Sequence, residues 1–566
     1  MRIPSLVLLA GLVACAGTSA KPDDTEPSPT DDTAGPGPDT GDTGDTGDPP
    51  GPDTVCADLG LPVRAFDPAP PAAFQRHQPA GDFSVPLRDG TTFTLSERWT
   101  GCESYLFLPH WWPVSELDSA TYWSTGVDEL IEKSPRNVHY FFTVAGNRDG
   151  DAEEYGAQMD TWIGEALASL DDDERAHWEA RLHVVQGPSS DAGTPIKEMF
   201  AGPIGQFGWA VDRGQKIRTL GYFPSVDAFD PALNNGGYWP WEMEIYMAAK
   251  EAEYFNWEAA RQEVLDAEDA SGEVLVVPVF GGDVVSQYVD GTLTLPDAAT
   301  LAQYDTLHID VRMECPDKDN FEINNCGPWD YLAYFWLDDP SSDGWLEMAR
   351  FITTYHRESR WVVDASHALA WLQAGGDFPV RYEWAPSWNV QPTGVTVSLR
   401  LSNRGKGSRP VQAIPLFQGG AFGSTYNVRE PLAVEIPASA RKVELVAITT
   451  GHGMGTNNCA EFCDQRHFFT VAGVEHEQAL LDPGDDDACA EAVGTLGVVP
   501  NQAGTWWFGR GGWCPGLEVT PFVVDVTADA APGTTISTSY RATQGTREPA
   551  DGSGDIVLRS WLIISE

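Results

Sequence analysis

Basic residues are scarce in this chain, which has 35 Lys and Arg against 84 Asp and Glu and a formal net charge of −49. A surface this acidic repels the phosphate backbone of DNA and RNA, which excludes a nucleic-acid partner. The acidity is otherwise typical of a soluble surface and by itself indicates no substrate. At 566 residues the chain is too long for one core, so we expect two to four domains.

Long apolar runs are missing as well. The N-terminal run, Ile3–Val13, is too short to span a bilayer as a mature helix. It leads into LVAC at positions 12–15, which resembles a lipobox. This resemblance implies a signal peptide over 1–14, a lipid anchor on Cys15 and an outer-membrane or cell-surface lipoprotein. An ordinary secretory signal cleaved near Ala20 is the alternative.

Cysteine is sparse, and the nine cysteines show no zinc-binding pattern. Cys459 and Cys463 are separated by three residues, but no second pair stands at zinc-finger spacing. Eight cysteines remain once Cys15 is assigned to lipidation. An even number of cysteines in an exported chain indicates disulfides.

The composition changes twice along the chain. Residues 15–55 consist mainly of Asp, Thr, Gly and Pro, which cannot bury a core, so we expect a disordered acidic linker. Residues 56–272 alternate short apolar runs with helical stretches, which favours an α/β domain. Its expected elements are strands at 104–108, 137–144, 181–185 and 207–211 and helices at 152–170 and 240–267.

This α/β segment resembles a thioredoxin-like redoxin domain. Residues 81–90 read GDFSVPLRDG, like the opening of such a domain, and residues 211–217 read VDRGQKI, like its late strand turn. Where a redoxin carries its reactive cysteine, residues 109–115 read PHWWPVS. The resemblance therefore implies a scaffold without dithiol chemistry.

From residue 273 to 566 the chain reads as all-β. Short alternating runs recur between turns of Gly, Pro, Asn and Asp, which predicts β-sandwiches. The expected strands are 307–313, 331–337, 395–401, 443–448, 467–471 and 556–564.

Two segments in this region place an acid beside cysteines. Residues 326–330 read CGPWD, so Asp330 follows Trp329, and residues 458–463 read NCAEFC, so Glu461 lies between two cysteines. One carboxylate can activate water, the other can stabilise or protonate, and an indole can stack on a sugar. This chemistry fits a glycoside hydrolase as well as an amidase, and either acid could instead be structural.

The same two segments resemble the active-site segments of the peptide-N-glycosidase F family, which hydrolyses the bond between an N-linked glycan and its asparagine. The resemblance implies tandem jelly rolls over 273–408 and 409–566. It implies that Asp330 is the base or nucleophile and that Glu461, from the other jelly roll, is a second essential acid. The expected partner is an N-glycosylated protein or peptide. No cofactor is implied, and we expect a monomer.

Further residues follow from this resemblance. Arg510 and Trp513, in WFGRGGWCPG at 507–516, match a substrate-contacting arginine and an adjacent aromatic residue. Glu383, in RYEW at 381–384, is a candidate third acid. Tyr331 departs from the pattern, because the best-known member has an arginine there, so sugar or peptide preference is expected to differ.

Cysteines that are near in sequence are expected to pair. Three of the pairs match the family's local disulfides, and Cys56–Cys102 is the pair that is left over. The expected disulfides are Cys56–Cys102, Cys315–Cys326, Cys459–Cys463 and Cys489–Cys514.

Two other classes of protein remain open. Copper-dependent monooxygenases share the tandem jelly-roll architecture, and His452, Met454 and His467 could serve as copper ligands, since imidazole and thioether suit copper. A non-catalytic, glycan-binding surface lipoprotein is the other alternative. Chelators would abolish copper chemistry, and a binding protein would leave the peptide unchanged.

Overall fold

The computed structural model describes residues 53–68, 75–110, 123, 126–144, 150–192, 196–201, 207–223, 243–339, 342, 344–453, 459–484, 487–552 and 554–566. The expected signal peptide (1–14), Cys15, most of the linker (15–55) and Met454 lie outside these residues. Within them, no helix is both long enough and apolar enough to cross a membrane.

The N-terminal part contains a five-stranded sheet in the order β5-β4-β3-β6-β7, with helices around it. Strands β3, β4 and β5 are parallel, and β6 and β7 are antiparallel. The strands are β1 (Ser84–Pro86), β2 (Thr92–Thr94), β3 (Ser104–His110), β4 (Val138–Val144), β5 (Leu182–Pro188), β6 (Trp209–Val211) and β7 (Ile217–Thr219). The helices are Asp53–Asp58, Leu95–Arg98, Val127–Lys133, Asp151–Ala168, Asp172–Glu179, Ile196–Ala201 and Ala248–Ser271, with 3-10 turns at Ser189–Asp191 and Ile245–Met247.

Strands β3 and β4 are buried along their whole length. Their near-continuous apolar sequences are typical of parallel strands that are covered on both faces, which is why the sequence indicates them clearly. The helix Ala248–Ser271, called the long helix below, begins later than the expected residue 240, after a 3-10 turn, and ends at Gly272 with φ 70°. Glycine tolerates this left-handed conformation and is common at helix ends. At the other end of the domain, the helix Asp53–Asp58 includes the last three residues of the expected linker.

The prediction of an all-β region is confirmed. Residues 275–402 form a sandwich of two four-stranded antiparallel sheets, β13-β10-β15-β8 and β12-β11-β14-β9. The strands are β8 (Leu275–Val285), β9 (Tyr288–Asp297), β10 (Thr306–Glu314), β11 (Leu332–Asp338), β12 (Trp345–Ile352), β13 (Ser359–Asp364), β14 (Gly375–Glu383) and β15 (Thr393–Ser402), with the helix Ala298–Leu301 and the 3-10 turn Ser366–Ala370.

A second sandwich follows, with sheets β16-β23-β18-β21 and β17-β22-β19-β20. Both sandwiches are consistent with the expected jelly rolls. The strands are β16 (Pro410–Ala421), β17 (Leu432–Glu435), β18 (Lys442–His452), β19 (Gln465–Val471), β20 (Val474–Leu480), β21 (Phe522–Asp525), β22 (Thr535–Gln544) and β23 (Asp555–Ser565), with the helices Ala488–Glu491 and Val493–Leu496.

The two sandwiches pack side by side through an apolar cluster that includes Ile352 of the first and Val446 and Trp561 of the second. Beside this cluster, the buried Arg350 donates to Thr450 Oγ1 at 2.8 Å across the interface. The interface is therefore both apolar and hydrogen-bonded, which fixes the loops that meet at its edge.

The α/β domain packs on both sandwiches. The Arg357 guanidinium, from the first sandwich, contacts Glu251 of the long helix at 2.6 Å and donates to the carbonyl of Pro500 at 2.8 Å. Trp506 and Trp507 of the second sandwich lie in the same buried cluster as the core of the α/β domain. The long helix therefore supports segments from both sandwiches.

Candidate active site

Asp330 lies on the loop that precedes β11, at the edge of the first sandwich. The Cys315–Cys326 disulfide anchors this loop, and the Thr353 hydroxyl donates to the Trp329 carbonyl at 2.6 Å. The Tyr331 backbone N–H in turn donates to Thr353 Oγ1 at 2.8 Å. Asp330 is therefore held between two backbone contacts to one threonine.

Glu461 lies on the loop between β18 and β19 of the second sandwich, inside the Cys459–Cys463 disulfide. Its carbonyl accepts from the Gly511 N–H at 2.7 Å, and its carboxylate accepts from the Gly453 N–H at 3.1 Å. A side chain at Gly511 would crowd the Ala460 carbonyl, so glycine allows the close approach of these two loops.

Arg510 brings the two acids together. Its guanidinium lies 3.8 Å from the Asp330 carboxylate and 3.4 Å from the Glu461 carboxylate, so the site lies between the two sandwiches. Arg510 is 3% exposed and also donates to the carbonyls of Phe508 and Thr505, each at 2.9 Å. These two bonds fix the guanidinium, so its charge is preorganised for the site.

The pKa of Asp330 is raised to about 7, chiefly because burial disfavours the charged carboxylate. The Arg510 guanidinium opposes this rise, and the negative charge of Glu461 adds to it. Burial is thus a larger cause of the raised pKa than repulsion between the two acids. An acid with a pKa near neutrality is suited to proton transfer in either direction.

Tyr355 is a site residue that sequence reasoning missed. Its hydroxyl hydrogen-bonds the Asp330 carboxylate and lowers the Asp330 pKa against the effect of burial. Gln502 accepts from the Tyr355 N–H at 2.8 Å, and the ring lies against Gly504. No motif in the sequence marks this tyrosine, because its link to Asp330 depends on how β12 and the loop before β11 pack.

Glu383, the candidate third acid, ends β14 and accepts from the Trp336 indole N–H at 3.2 Å. Among the described residues, no hydrogen bond or ion pair joins it to Asp330 or Arg510. The structure therefore does not bring Glu383 into the cluster with the other two acids.

The two candidate tryptophans differ in exposure. Trp329 is 40% exposed next to Asp330, where it can meet a ligand. Trp513 is 5% exposed; its indole N–H donates to the Gly451 carbonyl, and its ring lies 4.9 Å from the Arg510 guanidinium. Trp513 thus packs against the arginine as a cation–π partner rather than offering a free face.

All four disulfides that were expected from the sequence are present in the structure. Three of them anchor the segments that carry Asp330, Glu461 and Arg510. They are Cys315–Cys326, Cys459–Cys463 and Cys489–Cys514, and the fourth, Cys56–Cys102, ties the first helix to the loop before β3.

Of the alternative copper ligands, the structure describes His452 and His467, and these two side chains contact different partners. His467 is buried, with its ring nitrogens 2.8 Å from Tyr540 Oη and 3.2 Å from Gln465 Oε1. His452 contacts Thr450 Oγ1 at 2.8 Å and stacks on Trp513. Among the described residues, the one group of three or more His, Cys, Asp or Glu side chains whose ligand atoms lie close together contains Cys315 and Cys326, which form a disulfide.

The fold and the site define a tandem β-sandwich protein with two carboxylates and one arginine between its sandwiches. Residues 423–563 match the family described as "Peptide-N-glycosidase F, C terminal". Peptide-N(4)-(N-acetyl-beta-D-glucosaminyl)asparagine amidase F of Elizabethkingia miricola is 24% identical over 310 residues, which are 50% of this chain and 79% of that protein. Residues 423–563 therefore form a C-terminal domain of the peptide-N-glycosidase F type.

Solved structures are similar at lower identity. PNGase F, described as a glycosylasparaginase from Flavobacterium meningosepticum, aligns with 19% identity and a TM-score of 0.43, over 52% of this chain and 96% of that chain. PNGF-II aligns with 11% identity and a TM-score of 0.39, over 63% of this chain and 74% of that chain.

Proposed function

We propose that this protein hydrolyses the β-aspartylglucosaminyl amide bond of N-glycoproteins or N-glycopeptides. The asparagine becomes aspartate, and the glycan leaves as a glycosylamine that later loses ammonia. The observation that carries this proposal is the meeting of Asp330 and Glu461, from different sandwiches, at one buried arginine. The relative from Elizabethkingia is named for the same reaction.

Asp330 acts as the base in this proposal. Its ionised form takes a proton from water, the water oxygen adds to the amide carbonyl, and the carbon–nitrogen bond then breaks. The protonated carboxyl returns the proton to the departing amine, so protons balance over the cycle. A pKa of about 7 serves both steps, because the group gains and loses a proton at little cost near neutral pH.

Arg510 and Glu461 provide the charged groups of the proposed reaction besides Asp330. The guanidinium is held by two backbone carbonyls and lies within 4 Å of both acids, so it can stabilise the oxyanion that develops at the carbonyl carbon. Glu461 is placed to accept a hydrogen bond from the sugar or the amide, since its side chain is 21% exposed.

The N-terminal region has a separate part in the proposal. The α/β domain serves as a redoxin-like scaffold. Its sheet, in which three parallel strands are continued by an antiparallel pair, supports this assignment. Its two cysteines, Cys56 and Cys102, are joined to each other, which leaves no thiol for redox chemistry in residues 56–272. Cys15 carries a lipid that anchors a monomer at the outer membrane or cell surface.

Mass spectrometry of a defined N-glycopeptide, incubated with the protein in the presence of a chelator, tests the reaction. We expect a free peptide with aspartate at the former glycan site, and heavy-oxygen water should label the new carboxylate. Asp330→Asn should abolish release. Asp338→Asn, the same change at the far end of β11, is the matched control and should leave release unchanged.

The other products would contradict the proposal. A peptide that keeps one GlcNAc on asparagine would mean glycoside hydrolysis. Glycopeptide that is bound but unchanged would mean a binding protein.

A further inference from the structure

A buried segment of irregular backbone runs between the α/β domain and the proposed active site. Residues 499–505, called the 499–505 segment below, follow the helix Val493–Leu496 of the second sandwich. Residues 499–504 are all buried. Irregular segments usually lie on the surface, because buried backbone groups need hydrogen-bond partners. A segment of this kind that is buried must therefore be held by specific contacts.

One side of the 499–505 segment is bonded to the α/β domain. The Asn501 side-chain amide donates to the Met247 carbonyl at 3.0 Å and to the Glu251 carboxylate at 3.2 Å. The Asn501 carbonyl accepts from the Tyr222 N–H at 2.7 Å. Asn501 is 0% exposed, and its φ of 52° lies in the left-handed region, which asparagine tolerates better than most residues. The α/β domain thus holds both the side chain and the backbone of this residue.

The α/β domain approaches the segment most closely at Gly221. A Cβ at Gly221 would lie 2.1 Å from the Asn501 carbonyl oxygen, which is far inside van der Waals contact. The Gly221 N–H in turn donates to the Glu251 carboxylate at 2.9 Å. Glycine therefore allows this approach, and any side chain at Gly221 would push the segment away from the α/β domain.

The other side of the 499–505 segment is bonded to two residues of the candidate active site. Gln502 Oε1 accepts from the Tyr355 N–H at 2.8 Å. Thr505 accepts from the Arg510 guanidinium through its carbonyl at 2.9 Å and through its hydroxyl at 3.3 Å. One short segment therefore links the α/β domain to both the tyrosine and the arginine of the site.

Both of these residues act on Asp330. The titratable groups that face its carboxyl are Tyr355, Arg510 and Glu461, and of these Tyr355 and Arg510 lower the Asp330 pKa. Proton transfer and oxyanion stabilisation need donors at hydrogen-bond distance, so a displacement of about 1 Å can slow a reaction about 100-fold. The position of the 499–505 segment therefore bears directly on the reactivity of Asp330.

We propose that Asn501 is a positioning residue of the active site, through which the α/β domain holds Tyr355 and Arg510 against Asp330. This inference rests on the proposed function, and it gives the α/β domain a part in the reaction beyond that of a scaffold. Asn501 is bonded to the α/β domain and acts on the site through the residues that follow it in the segment.

Asn501→Gly in the full chain tests the proposal, because glycine accepts the left-handed backbone and only the side-chain bonds are lost. With one glycopeptide as substrate, kcat at alkaline pH should fall roughly tenfold, and KM should change by less than about twofold. The midpoint of the pH profile should move upward, since displaced Tyr355 and Arg510 lower the Asp330 pKa less. Combined with Tyr355→Phe, the shift should be smaller than the sum of the two separate shifts.

Asn137→Gly is the matched control. Asn137 is a buried asparagine inside the α/β domain, and its amide also donates two hydrogen bonds, to the Cys102 carbonyl at 2.7 Å and to Asn256 Oδ1 at 2.8 Å. This change should lower stability and leave kcat and the midpoint unchanged. Gly221→Ala is a second test variant, which keeps every residue of the 499–505 segment and should change kcat and the midpoint in the same direction as Asn501→Gly.

A loss of stability with unchanged kcat and an unmoved midpoint in both test variants would overturn the proposal, as would fully additive midpoint shifts with Tyr355→Phe. The Asp330 pKa is also measured without turnover, from the pH dependence of the difference in unfolding free energy between each chain and its Asp330→Asn form. If the parent released no glycan, the proposed reaction would be wrong. The unfolding difference would then decide on Asn501 alone: a raised Asp330 pKa in Asn501→Gly would support the positioning role, and an unchanged pKa would exclude it.

Discussion

Two buried arginines in this protein each face two carboxylates, and the two clusters differ in how tightly they are closed. Arg357 contacts Glu251 and Glu322 at 2.6 Å each. Arg510 stands 3.8 and 3.4 Å from its two acids. The side chains of the acids at Arg357 are 0% and 9% exposed, whereas those at Arg510 are 16% and 21% exposed.

This difference indicates that the Arg357 cluster joins domains, whereas the Arg510 cluster has acids available for catalysis. Arg357 directs its guanidinium at its acids and at two carbonyls from other parts of the fold, those of Pro500 and Thr219. Arg510 makes its shortest hydrogen bonds to nearby backbone carbonyls, while Asp330 and Glu461 lie at the longer distances of ion pairs. Acids that are not fully paired keep lone pairs for a substrate, and burial without full pairing raises the pKa of Asp330.

Substituting Arg357 should mainly lower stability, whereas substituting Arg510 should mainly lower activity. Arg357→Met leaves Glu251 buried without a cation, and we expect unfolding to become easier by about 3–5 kcal/mol. Arg510→Met should cost about 1–2 kcal/mol in stability, because its acids are partly exposed. It should lower kcat for glycan release by roughly 100- to 1,000-fold. Urea unfolding measures the stability of both variants, and product assays measure their kcat. Equal losses of stability would contradict the distinction between the Arg357 and Arg510 clusters.

The rate of glycan release should depend on pH through Asp330. A base must be ionised, and a pKa raised to about 7 means that the ionised fraction falls tenfold for each pH unit well below that value. At pH 5 we therefore expect kcat/KM to be roughly 100-fold below its plateau at alkaline pH. A profile measured with one glycopeptide checks this. A midpoint near 4 would show that Asp330 is not the titrating base.

The raised pKa of Asp330 should also cost stability. Its pKa is higher in the folded than in the unfolded chain, so its contribution is fully favourable below about pH 4 and is lost as pH rises through about 7. Asp330→Asn removes this penalty. The variant should be more stable than the parent by about 2–4 kcal/mol above pH 7, a range that allows for the 16% exposure, and equal to it near pH 4.

Unfolding of both chains across this pH range is the measurement. Asp283→Asn, the same substitution at an exposed aspartate on β8, is the matched control. A constant difference between Asp330→Asn and its parent would show a packing effect instead.

Much of this site could be predicted from sequence, because its residues stand inside short motifs. Cysteines beside Asp330 and Glu461 indicate anchored loops, and glycines around Arg510 indicate close approach of backbone. The existence of the buried strands β3 and β4 was equally clear from their apolar runs, although their ends differ from the predicted ones by one or two residues.

The contacts that join distant segments were not predictable. Arg357 and Glu251 are 106 residues apart and belong to different domains, and neither lies in a motif. Glu383 is a different case, because its local sequence suggests an acid of the site, whereas its hydrogen bond in the structure is to Trp336. A catalytic role for it stays a prediction.

Substituting Tyr355 should have the smallest of the expected effects on the candidate active site. Its hydrogen bond favours the ionised form of Asp330, so Tyr355→Phe should raise the Asp330 pKa. The midpoint of the pH profile should move upward by less than about one unit, and the plateau at alkaline pH should change little, since the base is fully ionised there. Tyr288→Phe, on the exposed strand β9, is the matched control. A lower plateau with an unmoved midpoint would mean that Tyr355 contacts the substrate instead of setting the pKa of the base.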